Sequence, residues 1–362
     1  MILKPNTYVP SLRWRQAEYQ ALLRLSDAAK SRIVPFITIP DIEYDFELKR
    51  PSSTVEKHVK PFPKRYIAKW GKRPAWIDVH ETIANSTMSD GKLVATHVFD
   101  ELRKAKGGNS GVPVTSLDAP AAVNKAVADI VALDKRGVGF RIRLEHIMKA
   151  GFTSRLAALI KAIGVGSHEV DLVIDLGAPN YEPYEDFAAA LFAAMSQMGD
   201  VSLYRSLVLL GTAYPESVKL DKPGGELPRH DWLFFEALMS KLDKGARRPN
   251  FGDYTIVHPK FEALDFRKIK SSGKVVYALK GKWHIRKGGA FTLNRAQMHD
   301  HCDFIVNSGF FRGADFSNGD EYIKKCATKS EGPSTLTRWK EIGISHHIMH
   351  VLEDLSTLYG PS

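Results

Sequence analysis

Short apolar runs recur along the chain, and segments with helical spacing lie between them. The runs are Tyr8–Trp14, Ile33–Ile39, Ala75–His80, Val112–Leu117, Val138–Leu144, Val170–Leu176, Ser206–Thr212 and Gly252–His258. They are rich in Val, Ile and Leu, as strands buried on both faces are. Stretches beginning at Glu18, Ala121, Ser154, Tyr184 and Trp232 carry apolar residues at helical intervals. Strand alternating with helix implies βαβ units and a parallel sheet. Eight such strands fit an α/β fold of the (β/α)8 barrel type over residues 1–262. An open doubly wound sheet stays as the alternative, because strand order is not visible in a sequence.

Residues 263–362 follow the eighth run. They open with KVVYALKGKWHIRKGG, which reads as a hairpin turning at Lys280-Gly281. Helical segments follow at Arg295–Val306, Gly319–Ala327 and Trp339–Tyr359. No low-complexity linker precedes them, so the expectation is a C-terminal extension packed on the barrel or over its mouth. The Gly224-Gly225-Glu226 triplet has no strand before it and reads as a loop.

Period-2 alternation sorts the strand residues into two faces. Phe140, Ile142 and Leu144 suit packing on helices, which turns Arg141, Arg143 and Glu145 inward. The same argument turns Asp78 and His80, Asp175, and Arg13 and Arg15 inward. These residues fall in the C-terminal halves of their strands, where barrel enzymes place their sites. Buried charges need partners or water. One reading is a salt-bridge layer that closes the barrel. The other is an anion site, since arginine's planar fork suits phosphate or carboxylate. Asp78, Glu145 and Asp175 are then the candidate catalytic acid–base groups, or oxygen ligands for Mg²⁺.

Charge sharpens the second reading. The 362 residues hold 51 Lys and Arg against 41 Asp and Glu, a net charge of +10. A positive field attracts polyanions, so nucleotide, nucleic acid or an acidic partner are the natural readings, with an effector protein as a further partner class and a basic but non-binding surface as the alternative. In the hairpin, Lys280, Lys282, Trp283, Arg286 and Lys287 combine cations with an aromatic ring, as single-stranded nucleic-acid surfaces do. Lys49–Arg73, with Tyr66 and Trp70, has the same composition, but a solvated helix face next to a Pro-rich loop is the preferred reading there, and the hairpin shares the ambiguity. The remaining composition, 44% hydrophobic and 25% charged, is that of a globular protein. Two cysteines, Cys302 and Cys326, exclude a disulfide framework and a cysteine-built zinc site. His346, His347 and His350 have metal-compatible helical spacing but no accompanying carboxylate motif. The opening MILKPNTYVPSLRWRQ lacks a secretory pattern and no run approaches ~20 apolar residues, so a cytoplasmic protein without a membrane span is expected.

The opening YVPSLRWRQAEYQALLRL and IVPFITIP resemble the beta protein family, named after a protein of T-even bacteriophage. FFRGADFSNGDEYI and TRWKEIGISHHIMHVL are similar to its closing motifs, with RHDWLFFEAL and GDYTIVHP between. The matching positions are Arg13, Trp14, Glu18, Arg312, Asp315, Gly319, Asp320, Trp339, His346 and His347. The resemblance implies no established activity and carries over no catalytic residue. It implies a setting among bacterial mobile-element and phage-defence genes. Of the motif residues, Arg312, Asp315 and His347 are the polar candidates for a site where the extension meets the mouth. Together these observations lead to one expectation, a protein recognising a phosphorylated ligand at the barrel mouth. A metal-assisted phosphodiesterase or nuclease, and a non-catalytic adaptor, are the alternatives.

Overall fold

The computed structural model describes residues 2–105, 110–243, 245–260 and 271–360. Its strands are β1 (Val9–Leu12), β2 (Phe36–Ile39), β3 (Tyr44–Asp45), β4 (Arg50–Pro51), β5 (Ala75–Val79), β6 (Gly111–Ser116) and β7 (Val138–Arg143). They continue with β8 (Val170–Asp175), β9 (Ser206–Gly211), β10 (Gly224–Pro228), β11 (Asn250–Asp253), β12 (Ser272–Leu279) and β13 (Lys282–Ala290). Eight close a parallel barrel in the order β1-β11-β9-β8-β7-β6-β5-β2. The fold is the (β/α)8 barrel, and the open-sheet alternative is excluded by the β1–β2 pairing that closes the ring.

Alternation explains how these runs become barrel walls. Phe140 and Ile142 of β7 join the outer core with Val127, Leu156 and Leu159 of the flanking helices. The lumen is filled by Val9, Phe36, Trp76, Val112, Val114, Val173, Val208, Leu210 and Tyr254. Gly139 leaves space for one of these, since a Cβ there would sit 2.9 Å from the Trp76 ring. That indole donates to Asp171 Oδ2 at 2.8 Å. Asp171 also accepts from Arg205 Nη2 (2.6 Å) and Ser206 Oγ (2.7 Å), which plugs the N-terminal end of the barrel.

Two expectations are corrected here. The eighth strand is Asn250–Asp253, earlier than the run Gly252–His258. After Asp253 the chain turns: Thr255 has φ +59 and its amide bonds Asp253 Oδ1 at 2.7 Å. Gly224–Pro228 is a strand rather than a loop. It adds antiparallel to β13, making the three-stranded sheet β10-β13-β12. Pro228 is tolerated because β10 is an edge strand.

The last helix, Leu336–Tyr359, completes the helical ring. Its Ile344, Ile348, Val351, Leu352 and Leu355 share a core with Tyr8, Leu12, Ala17 and Ala21, which cover the outside of β1. Arg32 Nη2, just before β2, donates to the Leu352 carbonyl at 2.6 Å. The hairpin β12–β13 and the helices Gln297–Val306 and Asn318–Ala327 are thus inserted between the eighth strand and the eighth helix. They have a small core of their own, built on Val275, Tyr277, Met298, Cys302, Ile305, Ile323, Cys326 and Trp339. The boundary expected at 262/263 lies outside the described residues.

Candidate functional site

The C-terminal strand ends form the barrel mouth, and its floor is a single charged layer. Arg141 projects inward from β7. Its Nε donates to Asp175 Oδ2 (2.8 Å), its Nη1 to Asp78 Oδ2 (2.8 Å) and its Nη2 to the Tyr254 hydroxyl (3.1 Å). Tyr254 in turn donates to Asp175 at 2.8 Å, and Thr38 to Asp78 at 3.3 Å. Burial works against the Arg141 charge, but Tyr254, Asp175 and Asp78 outweigh it and hold its pKa well above the usual value. For Asp78, burial outweighs the pull of Arg141, and its carboxyl is raised. All three guanidinium nitrogens are engaged, so the anion expected on Arg141 meets no unpaired nitrogen. The salt-bridge layer is what forms at this depth.

Glu145 and Arg143 sit higher and further out. β7 ends at Arg143 and the chain turns into the short helix Leu144–Met148, which carries Glu145 off the strand and away from the lumen where alternation had placed it. Arg143, 46% exposed, pairs with Glu81 at 2.5 Å on the rim. His80 caps the next short helix through Nδ1, 3.4 Å from the Thr82 amide. The three candidate carboxylates therefore do not converge on one point: Asp78 and Asp175 share Arg141, and Glu145 stands at the rim.

Glu145 instead meets two residues that sequence reasoning passed over, Asp118 and His146, with ligand atoms within 4.8 Å of one another. His146 Nδ1 accepts the Arg143 amide at 3.1 Å. That assigns the proton to Nε2, which donates to Asp118 Oδ2 at 2.5 Å. A protonated Nε2 has no lone pair for a metal ion, so this trio does not fit a cation in the state the hydrogen bonds define.

The mouth's other wall is cationic. Arg13, just beyond β1, donates through Nη2 to the His258 carbonyl. Arg15 pairs with Asp41 and Glu43, and its amide donates to Glu18 Oε2 at 3.0 Å. Glu18 Oε1 lies 3.8 Å from Lys340 Nζ on the closing helix. Three residues on from Lys340, Gly343 lets the helix approach β12, since a Cβ there would meet Ile256 at 2.5 Å and the Val276 carbonyl at 3.4 Å. Lys274 precedes Val276 by two positions, on the same face of β12, and pairs in register with Lys287 of β13. Lys287 Nζ donates to the carbonyls of Val218 (3.1 Å) and Leu220 (2.6 Å) in the loop after β9.

Lys274 makes no hydrogen bond or ion pair among the described residues. Burial, with Lys287 and Lys340 adding, holds its ammonium below the usual value. Burial does the same to Lys340, with Arg13 and Arg15 adding and Glu18 opposing. Yet 37% of the Lys340 side chain is exposed. Lys274, Lys287 and Lys340 are all half-buried, so solvent reaches the recess where the closing helix meets β12. Lys274 and Lys340 carry no motif, and only the strand period and the helix–strand contact bring them together.

The other sequence-nominated residues divide. Lys282 pairs with Glu226 at 2.7 Å, Lys280 is exposed, and Arg286 lies over the Phe304 ring at 4.0 Å. Trp283 points into the core and is fully buried, so its ring is not offered to a base: the period of two that leaves Lys282 and His284 half-buried turns it inward. Arg312 forks onto Glu353 and lies over Phe316, and Asp315 is exposed beside it. His347 is buried where the extension meets the barrel wall, not at the mouth. It accepts from Trp283 Nε1 (3.3 Å) and donates to Asp253 (2.7 Å), which also accepts from the Tyr8 hydroxyl (2.5 Å). His346 bonds Asp320 (2.9 Å) and the Ala278 carbonyl (2.9 Å). Burial drives His350 down to about 2, with Arg229 adding. These partners lock the closing helix onto the barrel and the hairpin.

The family model described as Beta protein matches residues 8–353. The chain belongs to the beta protein family. None of the curated proteins matches it. Among solved structures, it is similar to active domain 2 of the thermostable chitinase from Pyrococcus furiosus. The two are 10% identical, with 70% of this chain and 93% of that one covered and a TM-score of 0.25. Among the described residues, no helix is long and apolar enough to cross a membrane.

Proposed function

We propose that this member of the beta protein family recognises a phosphorylated ligand, a nucleotide or nucleic acid, at the barrel mouth. One observation carries the reading: the Lys274 ammonium, with no hydrogen-bond or ion-pair partner among the described residues, shares a solvent-reached recess with Lys287, its cross-strand neighbour, and Lys340, beside Arg13. Like charges brought together against desolvation are relieved by a bound anion. The setting that goes with it is phage defence or mobile-element carriage in the cytoplasm, where such ligands are abundant.

The test is calorimetric titration of the purified protein with adenosine monophosphate and with a short single-stranded oligonucleotide, at low and moderate salt. Binding that weakens as salt rises is expected. Lys274→Ala should weaken binding, while Lys282→Ala, which removes only a surface pair with Glu226, should not. Binding that ignores salt, or that survives Lys274→Ala and disappears with Lys282→Ala, removes the mouth as the site.

A further inference from the structure

We infer that the mouth takes a compact monophosphate of a hydroxyl-bearing molecule, a nucleoside or sugar monophosphate, with its phosphate in the recess of Lys274, Lys287 and Lys340 and a hydroxyl on Asp78. This rests on the phosphorylated-ligand reading and narrows it to a small molecule held at two ends.

The charge of the recess sets the phosphate class. Three ammonium groups, Lys274, Lys287 and Lys340, with Arg13 beside them, have one carboxylate among them, Glu18, within the described residues. That surplus of positive charge is offset better by a phosphomonoester dianion than by the single charge of each phosphodiester link in a polymer. Lysine suits this end as a compact point charge that needs no fixed fork.

The floor supplies the other end, and the two adjoin. Arg13 follows β1, which pairs with β11 up to Asp253, the residue before Tyr254, and two residues on the Arg15 amide bonds Glu18, whose other oxygen lies 3.8 Å from Lys340. Tyr254 is bonded to Arg141 and Asp175 in the floor. Within that floor, Asp78 Oδ2 takes both Thr38 and Arg141, and Oδ1 has no partner among the described residues. An acceptor-only oxygen at the base of a bowl calls for a donor, and a ligand hydroxyl is one.

A polymer fits less well. Strand-tracking grooves need a continuous line of cations with aromatic platforms. On the hairpin, Trp283 is buried and Lys282 is paired with Glu226.

The experiment titrates the full chain with inorganic phosphate, ribose monophosphate, ribose and a short oligonucleotide. Ribose monophosphate should bind at least about tenfold more tightly than inorganic phosphate, the worth of one hydrogen bond to a charged group. Ribose alone should not bind measurably. Asp78→Asn should bring ribose monophosphate down towards inorganic phosphate and leave inorganic phosphate unchanged, while Lys274→Ala weakens both. Equal affinity of the wild-type protein for phosphate and ribose monophosphate overturns this inference alone, and it does so even if Asp78→Asn fails to fold. An oligonucleotide that outcompetes ribose monophosphate also overturns it, in favour of a polymer. Failure of every phosphorylated probe to bind sinks the broader reading as well.

Discussion

Replacing Arg141 by Ala removes the cation that, among the described residues, alone bridges the two aspartates of its layer. The guanidinium gives three short contacts to carboxylates and phenol, at 2.8, 2.8 and 3.1 Å. Without it, Asp78 and Asp175 face each other in the lumen, and both are buried. Breaking a buried pair by removing one partner costs about 3–5 kcal/mol. At roughly 2.1 cal/mol/K of unfolding entropy per residue, a chain of 362 residues loses about 1.3 °C per kcal/mol, so Tm should fall by about 4–7 °C near neutral pH. The sign with pH is fixed by Asp78. Its carboxyl is already raised in the folded protein, so its stabilising contribution is present below the unfolded value and lost as pH rises through the folded one. Removing Arg141 raises it further, so the deficit against wild type should shrink between neutral pH and pH about 5. Arg143→Ala is the control: its partner Glu81 is exposed, and the loss should stay under about 1 kcal/mol. Thermal and urea unfolding of both variants across this pH range is the assay. Equal small losses for the two, or an Arg141→Ala deficit that does not change with pH, would refute the layer as described.

Two further outcomes follow from buried groups outside the mouth. Burial pushes the Asp231 carboxyl up to about 6 against the pull of Arg229, so folding should lose stability at this group as pH climbs from about 4 through 6. Asp231→Asn should flatten that part of the stability profile in urea denaturation, and an unchanged slope counts against the assignment. Gly319→Ala would place a methyl 2.4 Å from the Ile342 carbonyl where Asn318–Ala327 meets the closing helix, costing about 1–3 kcal/mol in thermal unfolding. A neutral substitution there means the two helices are not pressed together.

How much of this was written in the sequence depends on whether a pattern is local. The barrel strands are legible because lumen and helix faces alternate, as Phe140, Arg141 and Ile142 do. The eighth strand slipped because Tyr254, Thr255 and Ile256 look like strand residues, while the bond from Asp253 to the Thr255 amide turns the chain early. β10 escaped notice because two glycines and a proline lower strand propensity, and its pairing with β13 is remote in sequence. The alternation that put Arg141 in the lumen is correct, but the same rule overreached for Glu145, which lies beyond the strand. Pairing between distant residues was invisible throughout. Nothing near Arg141 in sequence announces that Asp78, Asp175 and Tyr254 would use all its nitrogens, and nothing near Lys340 announces Lys274.

The eighth helix of the ring is made long after the strand it covers. β1 leaves the ribosome ahead of the other seven barrel strands, while Ile344, Ile348, Val351 and Leu352, which bury the outside of that strand, emerge after the hairpin and two more helices. At ordinary rates of synthesis the separation amounts to on the order of 20–60 s. Throughout that interval Tyr8 and Leu12 have no permanent cover, and the β1–β11 seam has no outer layer. The nascent chain must therefore carry an open apolar wall until that helix is made, which is the kind of surface that holdase chaperones bind and that drives aggregation when they are scarce.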